Sequence, residues 1–191
     1  RARIAAQADD EQRRAAADVW LDNTGERGQV LTAVDRLWRT RLRPFAENLR
    51  RGQRATAPRH VTVVDPDPTW PAQAARLIER VRDAVGERAL AVDHVGSTAV
   101  PGLAAKDVID LQLVVATLAD ADAVRDPLAR KGFVRLAGDW WDEPLDGTRP
   151  RKRLHAACDP GRAVNLHIRT ASSPAVAEQL GLGAVLFFNA I

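Results

Sequence analysis

The chain has 191 residues, 46% of them apolar and 28% charged, with a formal net charge of +3, which suits a globular core and excludes a disordered polyampholyte. Acids and bases interleave throughout, so charge alone points to neither nucleic acid nor a membrane surface, while anionic small molecules stay open as partners. The lone Cys158 can close no internal disulfide and has no metal-spaced companion, which fits a reducing cytoplasm, and no signal peptide or spanning segment is visible.

Residues 1–17 (RARIAAQADDEQRRAAA) are rich in strong helix formers and predict a helix. The chain contains no methionine, so Arg1 is expected to be an internal position of something longer. Val19-Trp20-Leu21 predicts a short strand stopped by the turn-forming Asp22-Asn23-Thr24-Gly25. From Gln29 to about Leu49, Val30, Leu31, Val34, Leu37, Trp38, Leu42 and Phe45 recur at helical spacing. That apolar face must dock on the rest of the chain, self-associate or stay mobile.

Residues 51–59 lose periodicity, concentrate charge and read as a linker between domains. A strand is expected over His60–Val64, followed by a proline-broken turn, Asp65 to Pro71, where Thr69 or Asp67 caps the next helix. Ala74, Leu77, Ile78, Val81 and Val85 give that helix one apolar face. Strands are expected at Ala89–Val95 and at Val108–Val115, the latter buried on both faces; then come a helix from Leu118 to Lys131 and strands at Phe133–Leu136, Arg153–Ala157 and Ala163–Arg169. The fold class is therefore α/β.

Gly96-Ser97-Thr98 carries the chemistry best, because glycine lets a ligand approach the backbone while hydroxyls and consecutive amides can surround a phosphate. Its bland counterpart is a capped strand-to-helix turn. Lys106 can add charge to the same ligand. Asp110 is a carboxylate inside the apolar run Val108 to Val115, costly to bury without a cation or donors, so it is the candidate metal ligand and the one candidate catalytic residue. Strand alternation puts Gln112 on the same face, so a two-metal centre would find one acid and one amide there.

His94, His155 and His167 fall on predicted strands and can converge on the phosphate site, and Asn165 shares a face with His167. Arg151-Lys152-Arg153 reads as a solvated charge run, Trp140-Trp141 as a core anchor for a loop, and Cys158 as inert.

The run Asp93 to Leu111, with Val64-Asp65-Pro66-Asp67-Pro68-Thr69-Trp70-Pro71 upstream and Asn165-Leu166-His167-Ile168 downstream, resembles the GrpB-like family over about residues 60–174. The resemblance implies a nucleotidyltransferase-like mixed sheet with flanking helices, holding a nucleotide or CoA-like anion through Gly96, Ser97, Thr98, Lys106, His94, Asn165 and His167. Gln112 stands where such transferases carry a second acid, which weakens Mg²⁺ binding; Asp93 and Asp107 are the remaining candidates for that acid. Residues 175–191 depart from the family and read as a truncated or frameshifted tail.

Residues 1–50 resemble a different family, the C-terminal end of bacterial dephospho-CoA kinase, on Arg3-Ile4-Ala5-Ala6-Gln7, Asp10-Glu11-Gln12-Arg13 and Ala17 to Gly25. This resemblance implies a helical remnant of a P-loop kinase domain, with Arg3, Asn23 and Gly25 near the nucleotide, and ATP, Mg²⁺ and dephospho-CoA as the parent's ligands. The 191 residues contain no G-x-x-x-x-G-K-[ST], so the N-terminal kinase domain is expected to be missing and the chain alone is not expected to be a kinase.

Overall fold

The computed structural model describes residues 9–56 and 62–188. Helix α1 (Asp10–Ala16) is closed by a capping box in which the Asp9 carboxylate accepts from the Gln12 amide and the Gln12 side chain accepts from Asp9. The first eight residues of the expected helix, Arg3 among them, lie outside the described residues. Val19-Trp20-Leu21 forms no strand. Nothing pairs with it among the described residues, and β propensity without a partner does not hold an extended ladder.

Helix α2 (Arg27–Leu37) runs through a π turn (Trp38–Leu42) into α3 (Arg43–Arg51). Gly52, in the left-handed region, ends it, with the Gly52 and Gln53 amides returning to Leu49 and Asn48 carbonyls. Part of the expected linker, residues 57–59, is outside the described residues. Of the strand expected from His60, β1 (Val63–Val64) is described, paired antiparallel with β3 (Ala105–Lys106).

The main sheet has the order β2-β4-β8-β7-β5, from β2 (Ala91–Val95), β4 (Ile109–Val115), β8 (Val164–Thr170), β7 (Arg151–Ala157) and β5 (Phe133–Arg135); β6 (Trp140–Trp141) pairs beside β5 on the free edge of β7. Only the β4–β8 pair is parallel. This is the mixed α/β arrangement with flanking helices expected from the sequence.

One face of the sheet, with Ile109, Leu111, Leu113, Val115, Leu166 and Ile168, packs on α4 (Trp70–Val85), α5 (Leu118–Ala123) and α6 (Arg125–Arg130) through Trp70, Leu77, Val81 and Leu128. The single helix expected over 118–131 is two. Pro127 has no amide to donate back to Ala123, and the chain breaks at Val124. Thr69 is the N-cap of α4 by position, yet its hydroxyl makes no cap bond, because the Asp67 carboxylate takes both its hydroxyl and its amide in an Asx turn. After Pro174, α7 (Ala175–Phe188) covers part of the other sheet face, where Gln112 Nε2 donates to the Val176 carbonyl at 3.4 Å.

Two expectations about single residues change. Trp140 and Trp141 are 36% and 42% exposed rather than core anchors, because a two-residue edge strand has sheet on one side only. Trp141 instead carries the Arg149 guanidinium over its ring at 4.3 Å. Lys152 is not part of a solvated run: alternation along β7 turns it inward, buried against Asp142, while Arg151 stays outside and Arg153 pairs with Asp122.

Candidate functional site

Register decides which of the candidate residues meet. Across the sheet face away from the core, Val95, Asp110, Asn165 and Ala156 form one row, and Asp93, Gln112, His167 and Leu154 the next. The opposite face carries the row His94, Leu111, Leu166, His155 and Arg135. The three histidines therefore do not converge: His167 stands with Asp110, while His94 and His155 are on the core side.

Asp110 Oδ1 accepts from Asn165 Nδ2 at 2.9 Å and lies 3.7 Å from His167 Nε2. Both side chains keep partial exposure, 27% and 20%, so the pair is reachable from solvent. Gly96 lies directly against the acid: a Cβ there would sit 3.0 Å from Asp110 Oδ2, and the backbone has φ +75°. Glycine is needed at this position on both counts.

Beyond it, Ser97–Ala99 make a single 3₁₀ turn, closed by the Ala99 and Val100 amides on the Gly96 and Ser97 carbonyls. The amides of Ser97 and Thr98 open that turn and have no acceptor within it. Ser97 is exposed.

Thr98 faces inward. Its hydroxyl is 3% exposed as a residue, donates to the Val108 carbonyl at 3.1 Å and therefore accepts from His94 Nε2 at 3.0 Å, which fixes the protonated nitrogen of a neutral His94. Burial holds His94 below the usual histidine range, with Asp110 pulling weakly the other way. The Thr98 hydroxyl and the His94 ring thus bond each other behind the loop. Lys106 and Asn165 line a cavity of about 500 Å³ together with Arg54, Asp107 and Arg162. Ser97, Asp110 and His167 do not line it. Asn23 and Gly25 lie in the turn after α1, with the Asp22 carboxylate taking the Thr24 amide and hydroxyl.

A network that the motifs did not suggest sits beside Asp110. Arg169 forks onto Asp142, Nε to Oδ2 and Nη2 to Oδ1, both at 2.8 Å, and its Nη1 donates to Gln112 Oε1 at 2.9 Å. Lys152 completes it on Asp142. Burial pushes the Asp142 carboxyl up, but the Arg169 and Lys152 bonds outweigh it and hold the group below its ordinary value. The alternation Asn165, His167, Arg169 carried a signal for the arginine; nothing local marked Asp142, which reaches the site from a loop.

This network bears on metal chemistry. A two-metal centre needs a second acid near Asp110, and Gln112 there has its oxygen on a guanidinium and its nitrogen on a carbonyl. Asp107 is held by Arg162 and by Trp70 Nε1, the latter at 2.8 Å; burial raises its pKa and these partners more than reverse that. Among the described residues no three His, Cys, Asp or Glu side chains gather as a metal site. The donor set does not fit a two-metal centre. A phosphate at the Ser97 amide meets the negative charge of Asp110 unless a proton on His167 or a cation stands between them.

Among the described residues no helix is long and apolar enough to cross a membrane. The model of the GrpB protein family matches residues 60–189, which includes α7. A protein of Mycolicibacterium paratuberculosis named dephospho-CoA kinase is 48% identical over 191 residues, 91% of this chain and 46% of that protein. A UPF0157 protein of Halalkalibacterium halodurans is 42% identical over 84 residues, 44% of this chain and 43% of that one. The crystal structure of GrpB from Enterococcus faecalis superposes with a TM-score of 0.48 at 25% identity, covering 61% of this chain and 66% of that one. The chain spans about half the length of the dephospho-CoA kinases it matches. With the family match running through the sheet, the Gly96 loop and the Asp110 strand, the chain belongs to the GrpB family.

Proposed function

We propose that this chain is the C-terminal half of a dephospho-CoA kinase, which phosphorylates the ribose 3′-hydroxyl of dephospho-CoA with ATP as the last step of coenzyme A synthesis in the cytoplasm. The observation that carries this reading is the 48% identity to a protein of that name over 91% of this chain, a share too large to come from residues 60–189 alone. The 191 residues hold no G-x-x-x-x-G-K-[ST]. In this reading the ATP phosphates and Mg²⁺ are therefore held by a kinase half outside them, with Asn23 and Gly25 near its nucleotide.

The GrpB module is then an accessory module in a nucleotidyltransferase-like fold. It takes a nucleotide or CoA-like anion at the amides of Ser97 and Thr98, with Asn165, His167 and Lys106 supplying donors and charge. A transferase activity of its own finds little support, because Gln112 is bound to Arg169 where a second acid would be needed.

The test measures phosphate transfer to dephospho-CoA by the chain alone and by the chain joined to the N-terminal half of the Mycolicibacterium relative. Turnover by the joined protein only is expected. Turnover by the chain alone, or by neither, overturns the reading. Calorimetry of the chain with ATP, CTP, dephospho-CoA and CoA, each with and without Mg²⁺, tests the accessory role, which fails if none gives heat.

A further inference from the structure

The turn from Cys158 to Ala163 connects β7 to β8 and touches two regions at once. On one side it receives the helical arm. Arg41 forks onto Asp159, Nε to Oδ1 at 2.9 Å and Nη2 to Oδ2 at 2.7 Å, with both side chains mostly buried. Asn48 Nδ2 donates to the Cys158 carbonyl at 2.9 Å, and the Ala55 amide to the Ala157 carbonyl at 2.8 Å. Phe45 lies against Gly132, whose carbonyl accepts from the Cys158 amide.

Arg41, Phe45 and Asn48 follow at spacings of four and three and share one helix face. The receptor surface is built to admit them. Gly161, its amide on Asp159 Oδ1 at 2.8 Å, leaves the room that the guanidinium fills, since a Cβ there would sit 2.2 Å from Arg41 Nε.

On its other side the same turn braces the strand that carries Asp110. Arg162 donates through Nη1 to Gln73 at 2.7 Å, through Nη2 to the Asp107 carbonyl at 3.2 Å, and pairs with the Asp107 carboxylate. The Ala163 carbonyl accepts from the Ile109 amide at 3.0 Å, and Asn165 then bonds Asp110. Asn165, the donor that orients Asp110, thus follows the arginine's carboxylate partner, Asp159, along one turn and into β8.

We infer that this turn is a receptor for an arginine-bearing amphipathic helix, and that docking of that helix and ordering of the Asp107–Asp110 segment are energetically linked. Two sites that bias one shared element must influence each other reciprocally. If the Asp110 region binds an anion as proposed above, its occupancy then tightens the arm; the linkage itself needs no ligand and stands or falls separately.

Hydrogen exchange on the ligand-free chain tests it. In Arg41→Ala, amides of residues 43–51 and also of 105–110 are expected to exchange at least about tenfold faster. In Arg162→Ala, whose hydrogen bonds go to Gln73 and Asp107, the arm is expected to loosen along with 105–110. Arg39→Ala, whose partner Asp35 is on the exposed side of the same helix, changes neither segment. Acceleration confined to the mutated region in both variants overturns the link, and no loosening of the arm in Arg41→Ala overturns the receptor. Circular dichroism checks that each variant keeps its fold, and Asp159→Asn repeats the test from the other side of the pair.

Discussion

The helical arm and the sheet module are held together by different physics. In α1, α2 and α3 no residue is buried. The arm depends on a few directional bonds from Arg41 and Asn48, with Asp18 pairing to Arg76 and Arg80 on α4. The module buries Val81, Leu111, Leu113, Leu166 and Ile168 almost completely. Apolar burial is non-directional and proportional to area, so it gives cohesion. A forked ion pair demands one geometry and contributes less, so it gives register and can open without unfolding the module.

This contrast breaks first in the core. Leu166→Ala, at a site with no exposure, is expected to lower unfolding free energy by about 3–5 kcal/mol, measured by denaturant titration. A loss under 1 kcal/mol would mean that the module is not the cohesive partner.

Acid should act next. His155 is fully buried, with neither ring nitrogen bonded among the described residues, and burial followed by Arg135 and Arg125 lowers its pKa to about 4. The unfolded chain takes up this proton near pH 6.5 and the folded one does not. Stability from this group is therefore complete above pH 6.5 and falls as pH drops toward 4, by about 3 kcal/mol in all. A pH series comparing wild type with His155→Leu isolates it, because the carboxylates titrate in both proteins. Parallel curves would refute the assignment.

The smallest effect belongs to the outer arm. Trp38, 55% exposed, lies on the face with Leu31, Val34 and Leu42 that the module leaves uncovered. Trp38→Ser should change monomer stability by no more than about 0.5 kcal/mol, read by thermal unfolding. A larger loss would show that this half of the helix has a partner within the chain.

Sequence patterning located most of these elements because their signals are local. The helical spacing of Leu31 to Phe45 and the apolar run from Ile109 to Val115 each follow from period alone. The break at Val124 was equally local, since Pro127 removes a donor, although a single helix was expected across it. Val19-Trp20-Leu21 went astray for the opposite reason: strand propensity is realised only when another strand is beside it, and the described residues supply none.

The candidate site was half legible. Gly96, Asp110, Asn165 and His167 could be grouped from turn chemistry and alternation, and the register brings Asp110, Asn165 and His167 together with Gly96 against the acid. Alternation could not tell that His94 and Thr98 face each other behind the loop. Whether a strand residue points to the core or to the open face depends on which neighbour it pairs with.

What the amino-acid order determined by itself was the inventory: an apolar strand bearing one carboxylate, a glycine where a positive φ is required, an amphipathic helix with a surplus apolar face. What only the tertiary structure decided was company. Gln112 met Arg169 over 57 positions, Arg169 in turn met Asp142, and Arg41 met Asp159 over 118 positions. Such pairings are selected by packing distance and mutual desolvation, quantities that exist only once the sheet has closed around them.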